Sequence, residues 1–183
     1  MKVLFFAPHA GIWPHAFPEA LIAESLAKEG NEIVYITCEK SFNSFCTVMA
    51  AHGLTNNSTT IQKEDVCNKC SINNNLLLKQ FPFRYHSLKT YIDNSNYQEI
   101  EEKLSKINRE NLIDFTLDEV EIGRLTLYQI LLEYKKNTLN FSDQEWQRVL
   151  VDLRNALITF YAAKKFFLEE KPDAVIVYNP LYS

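Results

Sequence analysis

The chain has 183 residues, is 46% hydrophobic and 13% aromatic, and carries a formal charge of -4 from 19 Lys and Arg against 23 Asp and Glu. That length suits one hydrophobic core, and that much apolar material excludes an intrinsically disordered chain. The acidic balance excludes nucleic acid as the main partner, because phosphate binding leaves a basic footprint.

In chain order, residues 2–7 form a continuous apolar run of Val, Leu and Phe ended by Pro8, the pattern of a buried parallel strand. The same opening is too short for a signal peptide, and no apolar run reaches the roughly 18–20 residues that span a bilayer. These features predict a soluble, cytoplasmic protein. A helix is predicted over 18–29, with Leu21, Ile22, Ser25 and Leu26 on one face and Gly30 as its left-handed stop. Residues 32–38, β-branched and aromatic, give a second strand and complete a βαβ unit. Residues 39–96 are less legible: a short helix over 44–51 ended by Gly53, then polar loops at 56–60 and 73–75. Three strings fit the capping box, Ser95 to Gln98, Thr116 to Glu119 and Ser142 to Glu145. They predict helices over 97–110, 116–136 and 143–170. The buried stripe of the last is expected to be Val149, Leu153, Ala156, Leu157, Phe160 and Ala163. Pro172 then leads into a third parallel-type strand at 174–178. The fold expected is an α/β, Rossmann-like three-layer domain with a mainly parallel sheet and a helical C-terminal half. Because little sequence follows a strand that reads as an inner one, we expect a further domain beyond Ser183.

In open α/β sheets, ligands bind beyond the carboxyl ends of the strands. The first such loop, residues 8–18, holds His9, Trp13 and His15 with three prolines. An imidazole suits general-base work near neutral pH, and an indole offers an apolar face for a sugar ring. The plainer alternatives are a helix-capping histidine and a core-anchoring tryptophan. The four glycines build no Gly-rich phosphate fingerprint, which weighs against a nucleotide pocket in this stretch.

The run Val3-Leu-Phe-Phe-Ala-Pro8, His15-Ala-Phe-Pro18 and Leu26-Ala-Lys-Glu-Gly30-Asn-Glu-Ile-Val-Tyr-Ile-Thr37 resembles the opening of GT-B glycosyltransferases. In their small-molecule members a loop His followed three residues later by Pro is the base that deprotonates the acceptor hydroxyl. The resemblance carries that role to His15, at the matching distance from Gly30. It departs from the pattern in having Pro14 before that His and Asn31 after Gly30. Later segments, Glu121-Ile-Gly-Arg124 and Lys171-Pro-Asp-Ala-Val-Ile-Val-Tyr-Asn179, are similar to capsule and surface-polysaccharide glycosyltransferases. The resemblance implies an N-terminal, acceptor-side domain with His9, Gly11, Trp13, Asn179 and Tyr182 lining the acceptor. The nucleotide-sugar donor would be held by a C-terminal domain outside this sequence. It also implies a glycan or lipid-linked acceptor and no required metal. The competing class is a non-catalytic α/β module binding a ligand or metal.

The four cysteines, Cys38, Cys46, Cys67 and Cys70, have the spacing C-x7-C-x20-C-x2-C. Unrelated free thiols, with Cys38 and Cys46 buried as small hydrophobes, are the simpler reading. The alternative is a zinc or iron–sulfur site, whose Cys67-Asn-Lys-Cys70 half fits a metal knuckle and whose x7 half is irregular for zinc. The string Phe81-Pro-Phe-Arg-Tyr-His86 reads first as a buried connector and second as a contact with a membrane surface or lipid-linked acceptor.

Overall fold

The computed structural model describes residues 1–178 apart from Pro82. Its sheet has four strands, all parallel, in the order β3-β2-β1-β4. They are β1 (Lys2–Phe6), β2 (Glu32–Thr37), β3 (Arg84–Ser87) and β4 (Ala174–Val177). The expected neighbourhood of the first, second and last strands holds, with β1 in the middle of the three. Helices are α1 (Trp13–Lys28), α2 (Thr47–Ala51), α3 (Thr60–Gln80), α4 (Asn94–Lys106), α5 (Ile122–Glu133) and α6 (Asp143–Glu170). The fold is the expected α/β, Rossmann-like, three-layer architecture with a helical C-terminal half.

Two compact units divide the described chain: Met1–Tyr91 with the stretch from Ala162 through β4, and Ile92–Tyr161. In the first, alternate strand residues feed opposite faces of the sheet. Val3, Phe5, Ile33 and Tyr35 form one cluster with Ala23 and Leu26 of α1 and Leu78 of α3. Phe5 stacks on Tyr35 and Tyr35 on Phe83, with ring centroids 5.9 and 5.5 Å apart. Leu4, Val34 and Ile36, pointing the other way, are fully buried as well. Both faces are covered, which is why β1 and β2 read as unbroken apolar runs.

At the amino ends of the strands a charge cluster ties the sheet together. Arg84 of β3 pairs with Glu170 at the end of α6 and with Glu32 of β2, and Lys2 Nζ donates to the Glu170 carbonyl at 2.7 Å. Tyr91 Oη donates to Glu170 Oε1 at 3.2 Å. Burial alone would raise the Glu170 carboxyl, but Arg84, Tyr91 and His86 outweigh it and hold it below the ordinary glutamate value.

Several boundaries differ from the sequence reading. Helix α1 begins at Trp13, earlier than 18, because Pro14 fills an N-terminal position where no backbone donor is needed. Pro18 then sits inside the helix and removes one bond of the ladder. The expected loop at 56–60 is present as far as Thr59, but the one expected at 73–75 is not. Thr59 caps α3 through a capping box with Gln62, and 73–75 lie within that helix. Helix α4 is capped by Asp93 with Asn96, two residues earlier than Ser95 to Gln98. Thr116 to Glu119 caps nothing: Leu117 and Val120 bridge across a tight turn, with Asp118 and Glu119 at φ 46° and 69°. Helix α5 starts only at Ile122, where Gly123 lies so close to the Leu112 carbonyl that a Cβ would meet it at 1.7 Å. The expected 143–170 helix is α6, opened by the Ser142–Glu145 box. Val149, Leu153 and Leu157 are buried as expected, but Ile158, Ala162 and Phe166 join them while Ala156, Phe160 and Ala163 are only half-buried.

Candidate functional site

Successive strands run outward from β1 through β2 to β3, and the chain then returns to place β4 on the other side of β1. The order reverses between β1 and β4, and the crevice beyond their carboxyl ends is where open α/β sheets bind ligands. His15 stands there in the first turn of α1, its amide donating to the Ile12 carbonyl at 2.9 Å. The residue after β4, Tyr178, stacks on the His15 imidazole with centroids 4.5 Å apart and planes 22° apart. Tyr178 is half-exposed, so the pair reaches solvent at the edge of the crevice. Sequence reasoning pointed past this residue to Asn179 and Tyr182, both of which lie outside the described residues.

The other loop residues part company. Trp13 and His15 are two positions apart on a helix, about 200° around its axis. Trp13 stacks on Phe17 at 5.4 Å and, with Phe17 and Leu21, lines an apolar groove against Leu76 and Leu77 of α3 and Phe81 just beyond it. The structure thus brings Trp13 to α3, on another side of α1 from the His15–Tyr178 pair. His9 is half-buried in the loop, its carbonyl accepting from the Ile12 amide at 2.9 Å. Gly11 donates its amide to Cys70 Sγ at 3.2 Å, and Asn73 Nδ2 donates to the Ala10 carbonyl at 3.2 Å. The loop that leads into α1 and His15 is therefore held by α3.

Glu19, one turn beyond His15, was not anticipated. It is 5% exposed, its Oε1 has no hydrogen-bond partner, and burial pushes its carboxyl up from 4.5 to about 7. The Glu19 charge also adds to burial in raising the Tyr35 phenol. A buried carboxyl whose ionisation is shifted toward neutral pH, one turn along α1 from His15, is a functional candidate.

All four cysteines line one cavity of about 110 Å³ at the carboxyl ends of β1 and β2. Cys38 follows β2, Cys46 precedes α2, and Cys67 and Cys70 lie a turn apart on α3, which explains how the irregular spacing closes on one place. None is in a disulfide. Burial pushes Cys38 up to about 12 and Cys46 up to about 11, and it also raises Cys67 and Cys70. Backbone amides oppose this: those of Phe42 and Ser41 at Cys38, Met49 and Val48 at Cys46, and Gly11 at Cys70. Among the described residues no three His, Cys, Asp or Glu side chains are grouped to hold a single metal ion.

The 81–86 segment is buried only at its start and then runs into the edge strand β3, where Arg84 and Tyr85 are exposed. Phe81 is buried, Phe83 stacks on both Phe81 and Tyr35, and Arg84 and His86 belong to β3, where Arg84 is engaged by Glu170. Among the described residues, no helix is long and apolar enough to cross a membrane.

Comparison with known proteins finds no match: no family model, no curated protein and no solved structure.

Proposed function

We propose that this chain is the acceptor-side half of a GT-B glycosyltransferase, with His15 as the base. The reading is supported by one observation above the rest: an imidazole in the first turn of α1, at the reversal point of the strand order, stacked on an aromatic ring. In an inverting transfer, the neutral imidazole takes the proton of the acceptor hydroxyl as its oxygen attacks the anomeric carbon. The bond to the nucleotide diphosphate breaks, and the diphosphate leaves with the electron pair. The donor is held by a following domain, and the acceptor is a glycan or lipid-linked hydroxyl of surface-polysaccharide synthesis at the inner face of the membrane. No Gly-rich phosphate cradle occurs in this chain, which agrees with a donor site elsewhere.

In the full-length enzyme, His15→Ala should lower kcat by about 10²–10⁴-fold, the usual contribution of a general base, and leave the thermal unfolding curve in place. The 183-residue chain alone should transfer no sugar from any nucleotide donor. Unchanged turnover in the His15→Ala enzyme overturns the base assignment, and transfer by the isolated chain overturns the half-enzyme reading.

A further inference from the structure

Tyr178 is more than half exposed, yet its ring lies along the half-buried imidazole of His15. We propose that Tyr178 is a positioning residue, which sets the plane of the His15 ring and favours the charged ring formed when His15 takes a proton. The assignment rests on His15 being the base of the transfer.

The placement follows from the strand. β4 pairs with β1 in the register Phe5 to Ile176 and Phe6 to Val177, so Tyr178 stands one residue beyond, at the carboxyl end of the sheet. Strand side chains alternate, and Ile176 packs on the cluster that holds Ala23 and Leu26 of α1. Tyr178, two residues on, is directed to that same side, where the first turn of α1 presents His15. The His15 backbone is fixed there by its own amide, which donates to the Ile12 carbonyl at 2.9 Å.

The contact geometry determines what Tyr178 can do. The second side-chain torsion of histidine is broad, so a helical backbone alone leaves the imidazole plane loosely set. A ring laid on it with centroids 4.5 Å apart and planes 22° apart selects one plane. The stack engages the face of the imidazole and neither nitrogen, so it orients the base without using the lone pair that receives the proton. An imidazolium over an aromatic face is attracted by the ring quadrupole, and a neutral imidazole lacks that attraction. The interaction therefore strengthens as the proton is taken up, which is the condition for raising the rate of the step. At the strength usual for exposed sites it contributes about 2–5-fold. Loss of the set plane adds to this, because misplacing a catalytic group by about 1 Å can cost about 10²-fold.

The test has two arms. In the 183-residue chain, proton NMR at one fixed alkaline pH reads the stack through the ring current of the tyrosine. Tyr178→Leu should move the His15 Cε1 proton downfield, and Tyr178→Phe should leave it in place. In the full-length enzyme, followed as nucleoside diphosphate released from the sugar donor, Tyr178→Leu should lower kcat by about 5–100-fold with little change in KM for the acceptor. Tyr178→Phe should restore kcat. Because the ring is exposed, neither variant should shift thermal unfolding. An unmoved resonance in Tyr178→Leu overturns the stack. Normal kcat in Tyr178→Leu, in an enzyme that His15→Ala disables, overturns the positioning role and leaves the base in place. An equal fall in Tyr178→Phe overturns it too, since the ring face is then not the cause. Normal turnover in His15→Ala removes the base itself, and the positioning role with it.

Discussion

Replacing Glu19 by glutamine should make the protein more stable at neutral and alkaline pH and change little in mild acid. Glu19 is 5% exposed with an unpartnered Oε1, so water screens its charge little and no protein donor reaches that oxygen. A rise from 4.5 to about 7, at about 1.4 kcal/mol per pH unit, makes ionisation about 3 kcal/mol more costly in the folded state than in the unfolded one. The sign follows from proton counting. Between these two values the folded state holds the proton and the unfolded state has lost it, so stability falls as pH rises through that window. Below it both states are protonated and the penalty vanishes; above it the penalty is complete. The glutamine side chain cannot ionise and keeps the shape of the glutamate it replaces. Urea unfolding of both proteins from about pH 5 to about pH 8 should show curves that nearly coincide in acid and separate by up to about 3 kcal/mol at the alkaline end. Other titrating groups, Asp152 among them, are common to both proteins and cancel in the difference. A gap independent of pH, or one that widens toward acid, refutes the argument.

Two further outcomes test packing and the charge cluster. Gly11→Ala would put a Cβ 2.4 Å from Val48 Cγ1 and 3.3 Å from Cys70 Cβ; it should cost about 1–3 kcal/mol in chemical denaturation, and a neutral result would show that the loop does not press on α2 and α3 as described. Glu170→Gln should cost about 1–2 kcal/mol near neutral pH, kept modest by the half-exposed Arg84. Because the folded Glu170 carboxyl lies below its ordinary value, that contribution is present above the unfolded value and is lost as pH falls through the folded one. The gap between the two proteins should therefore close in acid, and its persistence there would contradict the ion pair as the cause.

What was legible depended on how strongly a segment's burial stamps its sequence. β1 and β2 are covered on both faces, so nearly every residue had to be apolar, and Pro8 and Gly30 mark where the run and the first helix end. Helix α3 was missed because little of it is buried: Val66 and Leu77 are its only fully buried apolar residues among those described, leaving a polar string with no stripe. One signal was present. Thr59 and Gln62 have the capping-box spacing, and it went unread in a segment that looked like loop. The same motif misled at Thr116, where Asp118 and Glu119 adopt the left-handed turn and the helix waits for Ile122. A capping box states that a helix can start, and tertiary packing decides whether it does.

The site divides in the same way. His15 could be placed from the βαβ pattern because the carboxyl end of a first strand is fixed by topology. Tyr178 and the separation of Trp13 from His15 could not, since they depend on where β4 ends and on how α1 is turned. The cysteine spacing gave no hint of their convergence because linear spacing reports spatial proximity only when the residues share a local turn. Here one follows a strand, one precedes a short helix and two lie on a long helix whose existence the sequence hid. That helix bears on both halves of the reading. Through Cys70 and Asn73 it grips the Ala10–Gly11 backbone, and the chain from there turns directly into the helix that presents His15. The hold of α3 on Gly11 therefore lies four residues before the proposed base.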